Sequence, residues 1–411
     1  MPQPARRPKF WRYVAHGLFW MAVCEGIHLG LQQTSFYERM VNANLDALLA
    51  SRNVSVSPNV FVIWVTEDDY RNPGLFAGAS PLKQEVLVSI IKAVITSGPK
   101  AVGVDFDTSA WKTDRLNRQE LLRKDTPIVW AQAAIETPEA TGGLDLAKVM
   151  GGVPGVCSGV TAYFPDEDGL VREYQSYLRD QTGEFFPSLP FNLAEVYARG
   201  RGACRKNTRQ SPSKDAAEPQ LINYRGGAAA FGHLSAGALL KLADSPDWKR
   251  SNPLAGKMVL LGGAYQAARD SYPTPVGYLF GVDILANTVQ SRLSGGELTH
   301  SPAWNSALGY LEGVVLLVAF YFIPQRWGLL VTILTGPIYG LVVNWFAFHW
   351  GGAFLSFAPS FIGLIIFKSI DYAREHRELV RENGRLTYEL GKLRAGNAEE
   401  EPVRPMLRRG D

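Results

Sequence analysis

Carboxylates cluster where two apolar runs end. Glu67, Asp68 and Asp69 follow the run Val60–Thr66 (VFVIWVT), and Asp105 and Asp107 close the run Lys100–Asp107 (KAVGVDFD). Short β-branched runs of this kind read as buried strands. The carboxyl ends of parallel strands share one sheet edge, where ligands of open α/β sheets bind. Acids gathered there can hold a divalent cation through oxygen ligands or accept a cationic ligand; which of these applies, and so whether a metal binds, stays open. The simpler alternative is helix capping, because acids favour the first turn of a helix. Asp270, after the run Met258–Leu261, can join the same edge. Arg225 is either an anion contact or a salt-bridge partner for these acids. Asp283 falls near a helix start and reads as structural, and Asp166-Glu167-Asp168-Gly169 reads as a turn.

Those positions require a supporting domain. Val60–Thr66, a helical pattern through Leu82, Val86, Ile90, Ile91 and Val94, and Lys100–Asp107 make a strand–helix–strand unit of the parallel type. Ser80-Pro81 reads as the start of that helix, with Pro at its first position. A helix over Asp114–Arg123 and a strand over Pro127–Ala131 are expected next. Gly159–Phe164 and Leu170–Leu178 read as a hairpin closed by Asp168-Gly169. Residues 187–199 read as a helix, 200–219 as a polar, basic, mobile loop, Leu221–Tyr224 and Met258–Leu261 as buried strands, and Val282–Leu293 as the closing helix. Cys157 and Cys204 fall within this section and form a possible disulfide.

Charge segregation frames the domain. The whole chain has 411 residues, 42 bases and 39 acids. So small an excess excludes a protein that coats nucleic acid. Residues 1–12 carry Arg6, Arg7, Lys9 and Arg12 and no acid, whereas 13–32 carry only Glu25. Trp327 to Phe367 lack Lys, Arg, Asp and Glu altogether, and Trp304–Ile323 is interrupted only by Glu312. A membrane helix takes roughly 20 mainly apolar residues. The expected organisation is a cytoplasmic basic N-terminus (1–12), a signal anchor (13–32), an extracytoplasmic domain (33–303) and three spans within 304–370. The short basic flanks, including Arg326, Lys368, Arg374 and Arg377, then fall on the cytoplasmic side. A cleaved signal peptide is the rival reading of the first span. Glu25 is an intramembrane polar candidate, with His16, His28 or Asn344 as partners, or a Glu wetted at the interface.

Residues 371–395 repeat in heptads. With Tyr372, Leu379, Leu386 and Leu393 at d, His376, Asn383 and Leu390 fall at a. An Asn at one a position sets dimer register, so a homodimer through a parallel coiled coil is expected; the alternative is a single solvated helix. Residues 396–411 read as a disordered tail.

Several stretches together resemble the type 2 CHASE domain, an extracellular sensory domain of bacterial cyclases and histidine kinases. They are VFVIWVTEDD (60–69), AVGVDFD (101–107), PDEDGLVRE (165–173), FPSLPFNLA (186–194), INYRGG (222–227) and GKMVLLGGAYQAARDSYPTPVGYLFGVDILAN (256–287). The resemblance extends to the layout of one span, a domain and three spans. It implies an α/β extracytoplasmic sensory domain with a mostly parallel sheet and a four-span helical membrane region in a bacterial inner membrane, to which the heptads add a short coiled coil. Three features depart from the family: the Trp-Pro-rich lead-in is replaced by 72–81, the 200–219 loop reads as an insertion, and 41 residues follow the last expected span where relatives carry an output domain. The expected function is a non-enzymatic sensor that binds an unidentified extracytoplasmic ligand, without a cofactor, and signals to a separate cytoplasmic output protein. The alternatives are an envelope scaffold docking a periplasmic partner and, weaker, a carboxylate-dependent hydrolase, for which the residues offer no nucleophile–base pair.

Overall fold

The β-branched runs become the strands of one parallel sheet. In the computed structural model, β1 (Val60–Thr66), β2 (Ala101–Asp105), β3 (Ile128–Ile135), β5 (Cys157–Thr161), β10 (Gly232–Ser235) and β11 (Met258–Ala264) lie in the order β10-β1-β11-β2-β3-β5. All these pairs are parallel, and the short β4 (Asp145–Leu146) adds antiparallel to the end of β3. The structure describes residues 34–300 apart from 53–55, 113–125, 136–144, 154, 214–217 and 295–297, together with the helix Ala358–Glu399 and scattered residues of the flanking segments. The chain divides into two units, Asn42–Thr299 and Met1–Val41 with His300–Asp411.

Side-chain alternation assigns the two faces of the sheet. The helices are α1 (Ser35–Ala50), α2 (Glu67–Arg71), α3 (Gln84–Thr96), α4 (Leu189–Arg199), α5 (Ala236–Leu242), α6 (Pro246–Arg250) and α7 (Gly281–Leu293). Phe61, Ile63 and Val65 of β1 face α3 and α5, packing with Ile90, Ile91, Val94 and Leu239. Val60 and Val62 face α4 and α7, packing with Leu193, Val196, Leu285 and Val289. Both faces are covered, which is why the strands read as continuous apolar runs. Truncating any fully buried member such as Ile90 costs about 2–5 kcal/mol. Gly159 of β5 marks a close backbone approach: the backbone of Leu189 at the start of α4 occupies the space a Cβ would need.

Several expectations change. Val60–Thr66 and Lys100–Asp107 do form a strand–helix–strand unit, but β11 inserts between β1 and β2. Ser80-Pro81 is a cis peptide and does not start the helix, which begins at Gln84 after Lys83. The runs 159–164 and 170–178 do not pair as a hairpin. The first supplies β5 to the main sheet; the second supplies β6 (Glu173–Tyr174) and β7 (Tyr177–Arg179), which pair with β9 (Gln220–Leu221) and β8 (Phe185–Pro187). The turn itself exists, with Gly169 N–H bonded to Asp166 O at 2.8 Å and Gly169 at φ 82°. Leu221–Tyr224 is mostly buried but is no central strand; β10, unmarked by apolar density, takes the sheet edge. The 200–219 segment was expected to be mobile, but its described first half is held at two points. Cys204 is bonded to Cys157, with Cα atoms 5.9 Å apart, and Thr208 pairs with Phe185 through two backbone hydrogen bonds. The expected helix 114–123 lies outside the described residues.

In the second unit, α8 (Ala358–Glu399) runs for 42 residues. Tyr372, Leu379, Leu386 and Leu390 are each about half exposed, and Asn383 is exposed. Arg385 and Glu389 pair at 2.9 Å. Among the described residues no helix is long and apolar enough to cross a membrane. The four expected spans fall mainly on residues outside those described, as does Glu25.

Candidate functional site

Several segments at the carboxyl edge of the sheet, with Ala131 and Ala133 of β3 among them, line a half-open cavity of about 470 Å³. Ser80 and Pro81 come from the segment before α3. Asp105, Phe106 and Asp107 end β2. Thr161, Ala162 and Tyr163 end β5. Gly263 to Tyr272 span the turn between β11 and β12 (Ser271–Thr274), which forms a hairpin with β13 (Gly277–Phe280). The volume falls within the range of small-molecule sites.

The insertion of β11 beside β2 sets the chemistry. Gly262 of β11 is in register with Asp105, so the turn that follows β11 brings Asp270 to the same edge. Arg269, with left-handed backbone at φ 52°, ends the 3-10 turn just before it. The Tyr272 hydroxyl donates to the Asp270 carboxylate, and the Gly281 N–H, bonded to the Asp270 main-chain carbonyl at 3.0 Å, lies close enough to favour the ionised carboxyl as well. A Cβ at Gly281 would overlap that carboxylate, so only glycine fits at the start of α7.

Burial and mutual repulsion disfavour two ionised carboxylates here. Burial first, and then the Asp270 charge, push the Asp105 carboxyl up to about 8. Burial also raises Asp270, opposed by its bonds from Tyr272 and Gly281. Asp105 keeps partial contact with water. Tyr163 stands beside the pair. Burial, then Asp105 and Asp270, hold its phenol well above the ordinary tyrosine range. Its hydroxyl oxygen is buried and has no hydrogen-bond partner among the described residues. Tyr163 and Tyr272 meet edge to face at 6.0 Å, and Tyr265 stacks on Tyr70 at 4.5 Å.

The candidate acids therefore separate. Asp105, Asp107 and Asp270 line the cavity. Asp107 is exposed and also caps Ser109 N–H at 2.8 Å. Glu67 pairs with Arg71 at 2.6 Å and accepts from Gln266 N–H at 2.8 Å, bracing the β11 turn from outside the cavity. Asp68 is exposed and does not line it. Asp69 is a buried cap: it forms a capping box with Thr66 and accepts from Gly237 N–H at 3.1 Å. Arg225 lies apart from these acids. Its N–H donates to Asn287 Oδ1 at 2.9 Å, and its charge acts on Arg52. Asp283 is buried behind the sheet edge, accepting from Trp64 Nε1 at 3.1 Å, and burial pushes it up to about 6. Among the described residues no group of three or more His, Cys, Asp or Glu converges to hold a metal ion.

Arg172 was not among the sequence candidates. Its side chain is 2 % exposed and surrounded by three carboxylates. Nε and Nη2 clasp Asp46 of α1 at 2.9 and 2.7 Å; Nη1 reaches Asp166 at 2.6 Å; Nη1 and Nη2 clasp Asp168 at 2.9 and 2.6 Å. Burial alone would lower the guanidinium, but these bonds outweigh it and raise it, and Arg172 holds Asp168 below the usual carboxylate range. The adjacent Val171 N–H bonds to Pro273 O at 2.9 Å, in the hairpin that carries Tyr272. Acids four and six positions before an arginine, in the stretch PDEDGLVRE, are the only local signal of this hub; Asp46 lies 126 residues away.

No curated protein and no solved structure is significantly similar to the chain. A family model, that of the CHASE2 domain, matches residues 19–322. CHASE2 is an extracellular sensory domain family, and its match covers most of the chain, including every strand of the main sheet and the whole cavity. The chain belongs to the CHASE2 domain family.

Proposed function

We propose that this protein is a membrane-anchored extracytoplasmic sensor. Its cavity takes a small ligand, and its helices pass the change to a dimeric cytoplasmic helix read by a separate partner. The observation that carries this reading is a ligand-sized cavity at the carboxyl edge of the sheet, in a domain whose family senses. The Cys157–Cys204 bond supports an oxidising compartment for the domain. The apolar runs and basic flanks support spans at 13–32 and within 304–370. The half-exposed Leu379, Leu386 and Leu390 of α8 support pairing of two copies.

A mechanical connection follows from the contacts. The cavity hairpin is tied through Pro273 to Val171, and Arg172 ties the same segment to Asp46 of α1. In this reading α1 carries the change toward the N-terminal span. Two neighbouring carboxyls that resist ionising also suit acid–base chemistry, but no sensing role needs turnover.

Crosslinking tests the proposal in membranes holding the full chain. Leu386→Cys should give a disulfide-linked dimer, and filling the cavity with Ala133→Trp should change its rate of formation several-fold. A strictly monomeric product removes the dimeric output. A rate indifferent to the cavity removes sensing through it.

A further inference from the structure

Asp105, Asp270 and Tyr163 reach the cavity from three separate segments, and their chemistry is unbalanced. Two carboxyls supply acceptors. The Tyr163 oxygen is buried and unpartnered, although a buried phenol ordinarily finds a partner. The groups acting electrically on Tyr163 are acids and phenols: Asp105, Asp270, Tyr224 and Tyr272. The inner wall is thus rich in lone pairs and lacks a cationic donor.

We propose that the cavity binds the primary ammonium group of a small organic molecule, whose three N–H bonds go to Asp105, Asp270 and the Tyr163 oxygen. This deepens the sensor reading and rests on it. Each alternative leaves something unmatched. A quaternary ammonium has no N–H for the tyrosine oxygen. An anion meets acceptor oxygens and the charge the pair retains, with no cation to offset its own. A neutral polyol satisfies the hydroxyl but not the desolvated acids. A metal ion lacks a third converging protein ligand among the described residues. The tyrosine rings add cation–π attraction.

The mouth extends the argument. Arg269 lines the cavity and is exposed, so it can meet a carboxylate at the far end of the ligand. An alkylamine uses only the inner wall, whereas an amino acid uses both ends. Binding also moves a proton. The pair holds one without a counter-charge, and an ammonium takes its place. Asp107, Arg269, Tyr265 and Tyr272 also line the cavity around the pair, Tyr224 acts on Tyr163, and Asp270 acts on Asp283. Affinity therefore rises with pH from mildly acidic toward 8, until an alkylamine loses its own proton near roughly pH 10.

The test uses the full chain in detergent with butylamine, 5-aminopentanoate, butanol, butyrate and magnesium chloride as probes. The amines should raise the melting temperature by several degrees at saturating concentration, with butanol, butyrate and magnesium inert. Titration calorimetry at pH 7 in two buffers of different ionisation enthalpy should report proton release. Asp105→Asn and Asp270→Asn should each weaken amine binding tenfold or more, and Tyr163→Phe several-fold, with unchanged near-ultraviolet dichroism. A preference for 5-aminopentanoate that Arg269→Gln removes identifies the amino-acid class, and equal binding of both amines identifies alkylamines; each supports the ammonium site. No response to either amine, an equal response to butanol or butyrate, or amine binding unchanged in Asp105→Asn overturns it. In those cases a crosslinking rate that still responds to Ala133→Trp leaves the sensor reading standing.

Discussion

Asp105 and Asp283 are both harder to ionise in the folded chain than in the unfolded one, because burial disfavours their charge. Such groups hold more protons when folded, so stability falls as pH rises from about 4 through the folded value. For Asp283 the window runs from about 4 to about 6 and is worth on the order of 2–3 kcal/mol. Asp283→Asn should flatten that slope in denaturation measured at pH 4, 5 and 6. For Asp105 the loss continues toward pH 8. Asp105→Asn should therefore stabilise the protein at pH 7, by on the order of 1–3 kcal/mol, with the advantage shrinking at pH 4. A site residue that destabilises its own fold is the usual trade between stability and function. The acids at 67–69, 105 and 107 were legible as a group because they follow apolar runs. Their division into the cap Asp69, the brace Glu67 and the cavity carboxyls Asp105 and Asp107 was not. That depends on which loop crosses each strand end.

Among the elements, α1 is attached by its buried Leu45, Leu48 and Leu49 and by one buried cation. Removing Arg172 would leave Asp46, Asp166 and Asp168 without their counter-charge, and breaking a buried ion pair from one side costs about 3–5 kcal/mol. Arg172→Ala should lower stability by that amount in urea denaturation. Asp46→Asn should cost less, because two carboxylates still hold the guanidinium, and it should weaken the link between α1 and the cavity hairpin. A double-mutant cycle separates that pair from its neighbours. Periodicity located β1, β2, β11, α3, α4 and α7, since each fulfils its own apolar pattern. It misplaced the 159–178 region because Asp-Gly signals a turn without stating what the turn joins. Here the preceding run finds β3, and the following one finds β8 and β9.

For the whole molecule, the Cys157–Cys204 bond closes a separation of 47 residues between β5 and the basic segment. Cys204→Ser should lower stability by about 2–4 kcal/mol, and a melting curve of the wild-type chain in reductant should approach that of the variant. The sequence by itself determined the layered α/β class, the segregation of charge, the heptads of 371–395 and the family, because each resides in the order of neighbouring residues. Only the tertiary structure decided that β11 lies between β1 and β2, that Asp270 shares a cavity with Asp105, and that Arg172 clasps Asp46. Those pairings join residues more than a hundred positions apart. They depend on strand order and on how closely helices pack across the sheet, and no local pattern encodes either.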